Sequence, residues 1–73
     1  MRIDLFLKKA GVIKRRKVAH DLCQAGRVLI NGRPSKPSKT IRSGDIITIE
    51  GTDLVEKIKV IDPEEGRYQR IEV

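Results

Sequence analysis

The first ten residues, MRIDLFLKKA, place Ile3, Phe6, Leu7 and Ala10 at i, i+3, i+4 and i+7, the stripe of a helix with one face on a core. Asp4 suits the first turn of that helix and Lys8 and Lys9 the last, since each then opposes the pole of the helix dipole nearest to it. Gly11 is placed to end it. A second apolar stripe runs through Val18, Ala19, Leu22, Cys23 and Ala25 and stops at Gly26. The period then changes from helical to alternating. Val28 and Ile30 share a face, and Asn31-Gly32 is a strong hairpin-turn signal.

The segment RPSKPSKTIRSGD that follows cannot be a central strand, because proline donates nothing to a ladder, and it reads as an exposed basic loop. DIITIE and EKIKVID are β-branched strands, with Ile47 and Ile49 on one face of the first and Ile58 and Val60 on one face of the second. GTDLV turns between them, and RYQRIEV, with Tyr68, Ile71 and Val73, is a less regular last strand. The expected fold is α+β, with two short N-terminal helices packed on a small, mostly antiparallel β-sheet. One domain of 73 residues is expected.

Such a chain has a thin core. With one Phe, one Tyr and no Trp, aliphatic side chains must fill it, and little remains to support a deep catalytic pocket. We therefore expect a non-enzymatic protein with no small-molecule substrate, no cofactor and no metal. The formal charge of +6 is unevenly spread: twelve Lys or Arg face two acids from Met1 to Arg42, a net of +10, and four face eight from Ser43 to Val73, a net of −4. Segregation of this kind suits a protein that docks one end on a polyanion. A single cysteine excludes an internal disulfide, and no apolar run reaches the ~18 residues of a membrane span. A soluble, cytoplasmic protein without a membrane partner is expected.

The densest charge is Lys14, Arg15, Arg16 and Lys17, at the start of the second helix. On a wheel anchored at Val18, Arg15 continues the apolar stripe and Arg16 flanks it beside His20. Cations oppose the positive pole of a helix dipole, at roughly 0.3–1 kcal/mol each. A bound phosphate reverses that balance, since backbone N–H groups, dipole and guanidinium groups all favour it. Scarce aromatics leave no platform for stacking single-stranded bases, so structured RNA or a DNA groove is the natural polyanion. Helix-turn-helix DNA binding is the weaker fit, because the exposed side of the second helix carries His20, Asp21 and Gln24 and the acid repels phosphate. His20 and Cys23 lack the further ligands of a zinc site. Asp62, Glu64 and Glu65 surround a proline and read as a solvated turn.

Taken together, RID at Arg2 to Asp4 with Leu7, RRKVA at Arg15 to Ala19, AGRVLING at Ala25 to Gly32 and SGDII at Ser43 to Ile47 resemble the αL RNA-binding motif. That domain is shared by ribosomal small-subunit protein S-four, heat-shock protein fifteen, pseudouridine synthases and tyrosyl-tRNA synthetases. The resemblance covers residues 1–50, the expected αL RNA-binding domain, with residues 51–73 as a C-terminal β extension of the same domain. Within that group the free-standing chain, the IKRRKVAH run and the short strand extension are similar to bacterial ribosome-associated quality-control factors. This implies docking on large ribosomal subunits obstructed by peptidyl-tRNA, with large-subunit rRNA, P-site peptidyl-tRNA and a quality-control elongation partner protein as partners, in support of alanine tailing. A heat-shock protein fifteen-like recycling factor is the nearest alternative.

By motif position the resemblance assigns RNA binding to Arg2, Arg15, Arg16 and Lys36, with Lys14 and Lys17 as their electrostatic surroundings. Arg27, Arg33, Lys39 and Arg42 are secondary RNA contacts. Lys14 stands where the family often has a serine able to cap the helix, and the C-terminal tail is shorter than the pattern.

Overall fold

The structure, a computed structural model, describes residues 1–71. Helices α1 (Ile3–Lys9) and α2 (Arg16–Gln24) precede strands β1 (Val28–Ile30), β2 (Arg33–Pro34), β3 (Ile46–Glu50), β4 (Val55–Asp62) and β5 (Arg67–Ile71). The strands form one sheet in the order β2-β1-β3-β4-β5, with every pairing antiparallel. The expected α+β architecture is the observed one. Val73, which extends the alternation of the last strand in the sequence, lies outside the described residues.

Register explains the core. Val28 pairs with Ile49, Ile47 with Ile58 and Val60 with Tyr68, so the alternation of each strand delivers its aliphatics to one face. That face meets Ile3, Phe6 and Leu7 of α1 and Ala19 and Cys23 of α2 in a single cluster. The β1–β2 turn is closed by Asn31 (φ 52°) and Gly32 (φ 85°). Both left-handed conformations are those of a type I′ hairpin, whose twist matches the strands it joins.

Three local expectations are corrected. Val18 and Ala25 do not share the buried stripe of α2: Val18 is 45% exposed, and Ala25 is the exposed helix cap. The stripe is Ala19 and Cys23, one turn apart and both small, which lets α2 approach the core closely with Leu22 half-buried beside them. Arg15 does not continue the stripe, because it precedes the helix in extended backbone (φ −121°, ψ 133°) and the 3.6-residue period does not reach it.

The basic loop, third, is not simply exposed. Ser35, Pro37 and Ile41 are buried, and Ile41 joins the core. The backbone of this loop also caps the start of α1. The N–H groups of Ile3 and Asp4 donate to the carbonyls of Lys39 (2.8 Å) and Pro37 (3.3 Å), and that of Ile41 donates to the carbonyl of Met1 (3.0 Å). Arg2 supplies no side-chain cap, and a guanidinium has no acceptor to offer, so the loop satisfies donors that the helix start leaves open.

Burial, with the nearby charge of Asp4 adding to it, pushes the Cys23 thiol from 9.0 up to about 11. The unfolded chain therefore releases this proton first, and stability falls as pH rises from about 9 to about 11. Urea unfolding across that range should show a shallower loss of stability for Cys23→Ala than for the native chain. Equal slopes would show that the thiol is not held neutral by the fold.

Candidate nucleic-acid interface

Asp4 organises the basic end of the molecule. Its side chain is fully buried, a position in which a carboxylate must be paired or hydrogen-bonded. The Arg2 guanidinium donates from Nε to Asp4 Oδ1 and from Nη2 to Oδ2, both at 3.0 Å, in a two-point fork. Leu5 donates its backbone N–H to Oδ1 at 2.8 Å. Arg16 approaches from α2, its Nε 3.6 Å from Oδ2. The side chains of Arg2 and Arg16 are still 41% and 48% exposed, so Arg2 is held by a two-point fork and Arg16 by charge attraction alone, and both keep N–H groups for solvent.

Charge at the start of α2 has a counter-charge within the protein. The sign of Arg16 at the positive pole does not require an external anion, because Asp4 on the neighbouring helix supplies one. Arg15, the N-cap, provides no side-chain hydrogen bond to the helix. Lys14, Arg15 and Lys17 are exposed around this start and raise the local positive potential without fixed partners among the described residues.

The capping of α1 by the loop brings Lys36 to the same end. Arg2, His20, Gln24, Lys36, Pro37 and Ser38 line an open concavity of about 360 Å³. A second one, of about 710 Å³, lies along β2 and the loop and is lined by Arg33, Lys36 and Lys39 together with Asn31 and Ser38. Lys36 belongs to both. A continuous basic strip thus runs from Arg16 through Arg2 to Lys36 and on to Arg33 and Lys39.

Arg27 and Arg42 are exposed but stand apart from this strip. Arg27 follows the far end of α2, a helix of nine residues and about 13 Å, and its carbonyl accepts from the Glu50 N–H at 2.8 Å. Arg42 donates its backbone N–H to Asp45 Oδ2 at 2.8 Å in the turn before β3. The Asn31 amide also reaches Asp45, at 3.2 Å, and Asn31 Oδ1 accepts from the Ile46 N–H at 2.9 Å. The AGRVLING and SGDII segments are therefore joined by hydrogen bonds that build turns. Asp62 similarly accepts from the N–H groups of Glu64 and Glu65 (3.1 and 3.3 Å), the turn expected of these acids.

Sequence reasoning missed the burial of Asp4 and the place of His20 and Gln24 in the concavity. The usable signal for the first was one of only two acids among twelve N-terminal cations; for the second, it was the i, i+4 spacing of Arg16, His20 and Gln24. Cys23 lies on the core side of α2 with a neutral thiol at ordinary pH, the wrong form for a metal ligand.

The S4 domain family matches residues 1–47, a stretch that holds both helices, the capping loop and the whole basic strip. The chain belongs to the S4 domain family. Relatives of this S4 domain include the RQC P-site tRNA stabilizing factor of Helicobacter pylori (strain J99 / ATCC 700824), 41% identical over 61 residues that span 84% of this chain and 73% of the relative. The heat shock protein 15 homolog of Aeromonas salmonicida is 35% identical over 68 residues, 92% of this chain and 51% of the relative. Among solved structures, the trimeric heat shock protein 15 of Vibrio cholerae superposes with a TM-score of 0.86 at 25% identity, covering 97% of this chain and 81% of that one. In this S4 domain β4 and β5 lie beyond the matched residues and continue the same sheet.

Asp4→Asn removes the charge that both arginines share. Because those partners are half-exposed and screened, the expected loss is about 1–3 kcal/mol in urea unfolding. A double-mutant cycle with Arg2→Met should return a coupling of about 1 kcal/mol. Purely additive effects would mean that the fork contributes nothing to stability.

Proposed function

We propose that this protein is a non-enzymatic, cytoplasmic RNA-binding factor that docks on large ribosomal subunits obstructed by peptidyl-tRNA. It contacts large-subunit rRNA and the P-site tRNA. Beside a quality-control elongation partner protein, it supports alanine tailing of the stalled chain. Residues 1–50 are the docking part, and residues 51–73 are its β extension. The observation that carries this reading is the pair Arg2 and Arg16, the first forked on buried Asp4 and the second 3.6 Å from the same carboxylate, both about half-exposed. Rigid, half-exposed guanidinium groups recognise phosphate oxygens with less ordering cost than free side chains. The likeness to the RQC P-site tRNA stabilizing factor of Helicobacter pylori supports the choice of RNA and of the ribosome.

In the proposed contact, Arg16 and Arg2 hold adjacent backbone phosphates, and Lys36 takes the next from the loop. Lys14, Arg15 and Lys17 steer the approach, and Arg33 and Lys39 add contacts beyond Lys36. Arg27 and Arg42, further away, serve a second strand or none. The ribosome and the partner protein do the chemistry. A heat-shock protein fifteen-like recycling role on the same obstructed subunits is the second reading, favoured by the likeness of the fold over nearly the whole chain.

Arg16→Ala should weaken binding to an rRNA stem about tenfold and reduce the slope of log affinity against log salt by roughly 0.9, one phosphate contact. In co-sedimentation, the tagged protein should be recovered with large subunits that retain peptidyl-tRNA and much less with empty ones. Equal recovery from both, or tighter sequence-dependent binding to duplex DNA at matched salt, would overturn the proposal. Loss of alanine tails on deletion separates the tailing role from recycling.

A further inference from the structure

A polar stripe runs along α2. Arg16, His20 and Gln24 follow at i, i+4 and i+8, so they form a ridge with about 6 Å between successive residues. His20 and Gln24 make one wall of the smaller concavity, Lys36 and Ser38 the other, Pro37 lies between, and Arg2 completes it. Every lining side chain except Pro37 can donate a hydrogen bond to an anion once His20 is protonated. Asp4, the acid nearest to Arg2, is turned inward and buried, occupied by that guanidinium.

Arg2 and Lys36 share the concavity with His20, from the α1 start and the loop, and Arg16 lies one turn before it on α2. Asp21 Oδ1 is 3.6 Å from His20 Nδ1, but Asp21 is 63% exposed and screened. A phosphate in the concavity would be a second counter-charge, and by reciprocity a proton on the ring would strengthen the phosphate's hold. The imidazole is the side chain whose ordinary titration falls between pH 5 and 8, and His20 is the only histidine of the chain.

We propose that the concavity between α2 and the loop seats a backbone phosphate of RNA, contacted by His20 and Gln24 beside Arg2 and Lys36, and that protonation of His20 tightens this seat. The inference rests on the reading of the chain as RNA-binding and deepens it: His20 and Gln24 become binding residues, and mild acid strengthens the complex.

The test is fluorescence anisotropy with a fluorescein-labelled RNA stem-loop at constant ionic strength, at about pH 6 and about pH 8. The native chain should bind about 3- to 10-fold more tightly at the lower pH. His20→Gln should bind with little pH dependence and with the weaker affinity, His20→Lys tightly at both values, and Asp21→Asn should retain the dependence. Gln24→Ala should weaken binding at both. A pH ratio that is absent in the native chain, or unchanged in His20→Gln, overturns the inference. If binding in that case remains salt-dependent and sensitive to Arg16→Ala, the RNA-binding reading stands without it. Failure of the native chain to bind at either pH overturns both.

Discussion

A carboxylate withdrawn from water must be surrounded by donors, and in this small fold that requirement fixes the geometry of the whole basic end. Asp4 is buried where α1 meets α2. It draws Arg2 back along its own helix, takes the Leu5 N–H and attracts Arg16 from α2. Two arginines that would otherwise sample many rotamers are thereby restricted, while half of each stays open to solvent. An isolated surface ion pair contributes little to stability. Here, however, the acid is buried and shared, so its removal leaves two crowded cations at the start of a helix.

The loop completes the arrangement by a second local need. Helix α1 begins at a residue whose side chain cannot cap it, and its open N–H groups are met by the carbonyls of Pro37 and Lys39. Anchored there and by Ile41 in the core, the loop carries Lys36 to Arg2. Strands β3 and β4 position this end without adding to its charge, supplying Ile47, Ile49, Ile58 and Val60 to the core. Their surroundings are the acidic half of the chain, where Arg70 has Glu56 for a partner at 3.5 Å. Long-range attraction of a polyanion is thus confined to one end.

Much of this was legible in the sequence because it depends on period and turn chemistry. The stripe Ile3, Phe6, Leu7 specifies α1, the Asn31-Gly32 pair specifies a hairpin, and the alternation of β3 and β4 specifies their inner faces. The basic strip was legible as residue types and charge asymmetry, since cations crowded at a helix start break a local rule. What failed depended on tertiary partners. Val18 looks apolar enough for the core, but the small Ala19 and Cys23 bring α2 closer and leave Val18 outside. Asp4 looks like an ordinary first-turn acid, because nothing local shows that two arginines will close over it. Ile41 lies in a segment rich in Pro, Ser and Lys, and only contact with α1 makes it core.

In the proposed complex, RNA is held by the strip from the start of α2 through Arg2 to Lys36, prepared by Asp4. Backbone amide chemical shifts, followed by NMR as an RNA stem-loop is added, test it most directly. Saturable shifts are expected at residues 2–4, 14–20 and 35–39, with β4 and β5 little changed. Shifts concentrated on Lys57, Lys59 and the rest of β4 and β5, with the Arg2–Asp4–Arg16 cluster silent, would contradict it.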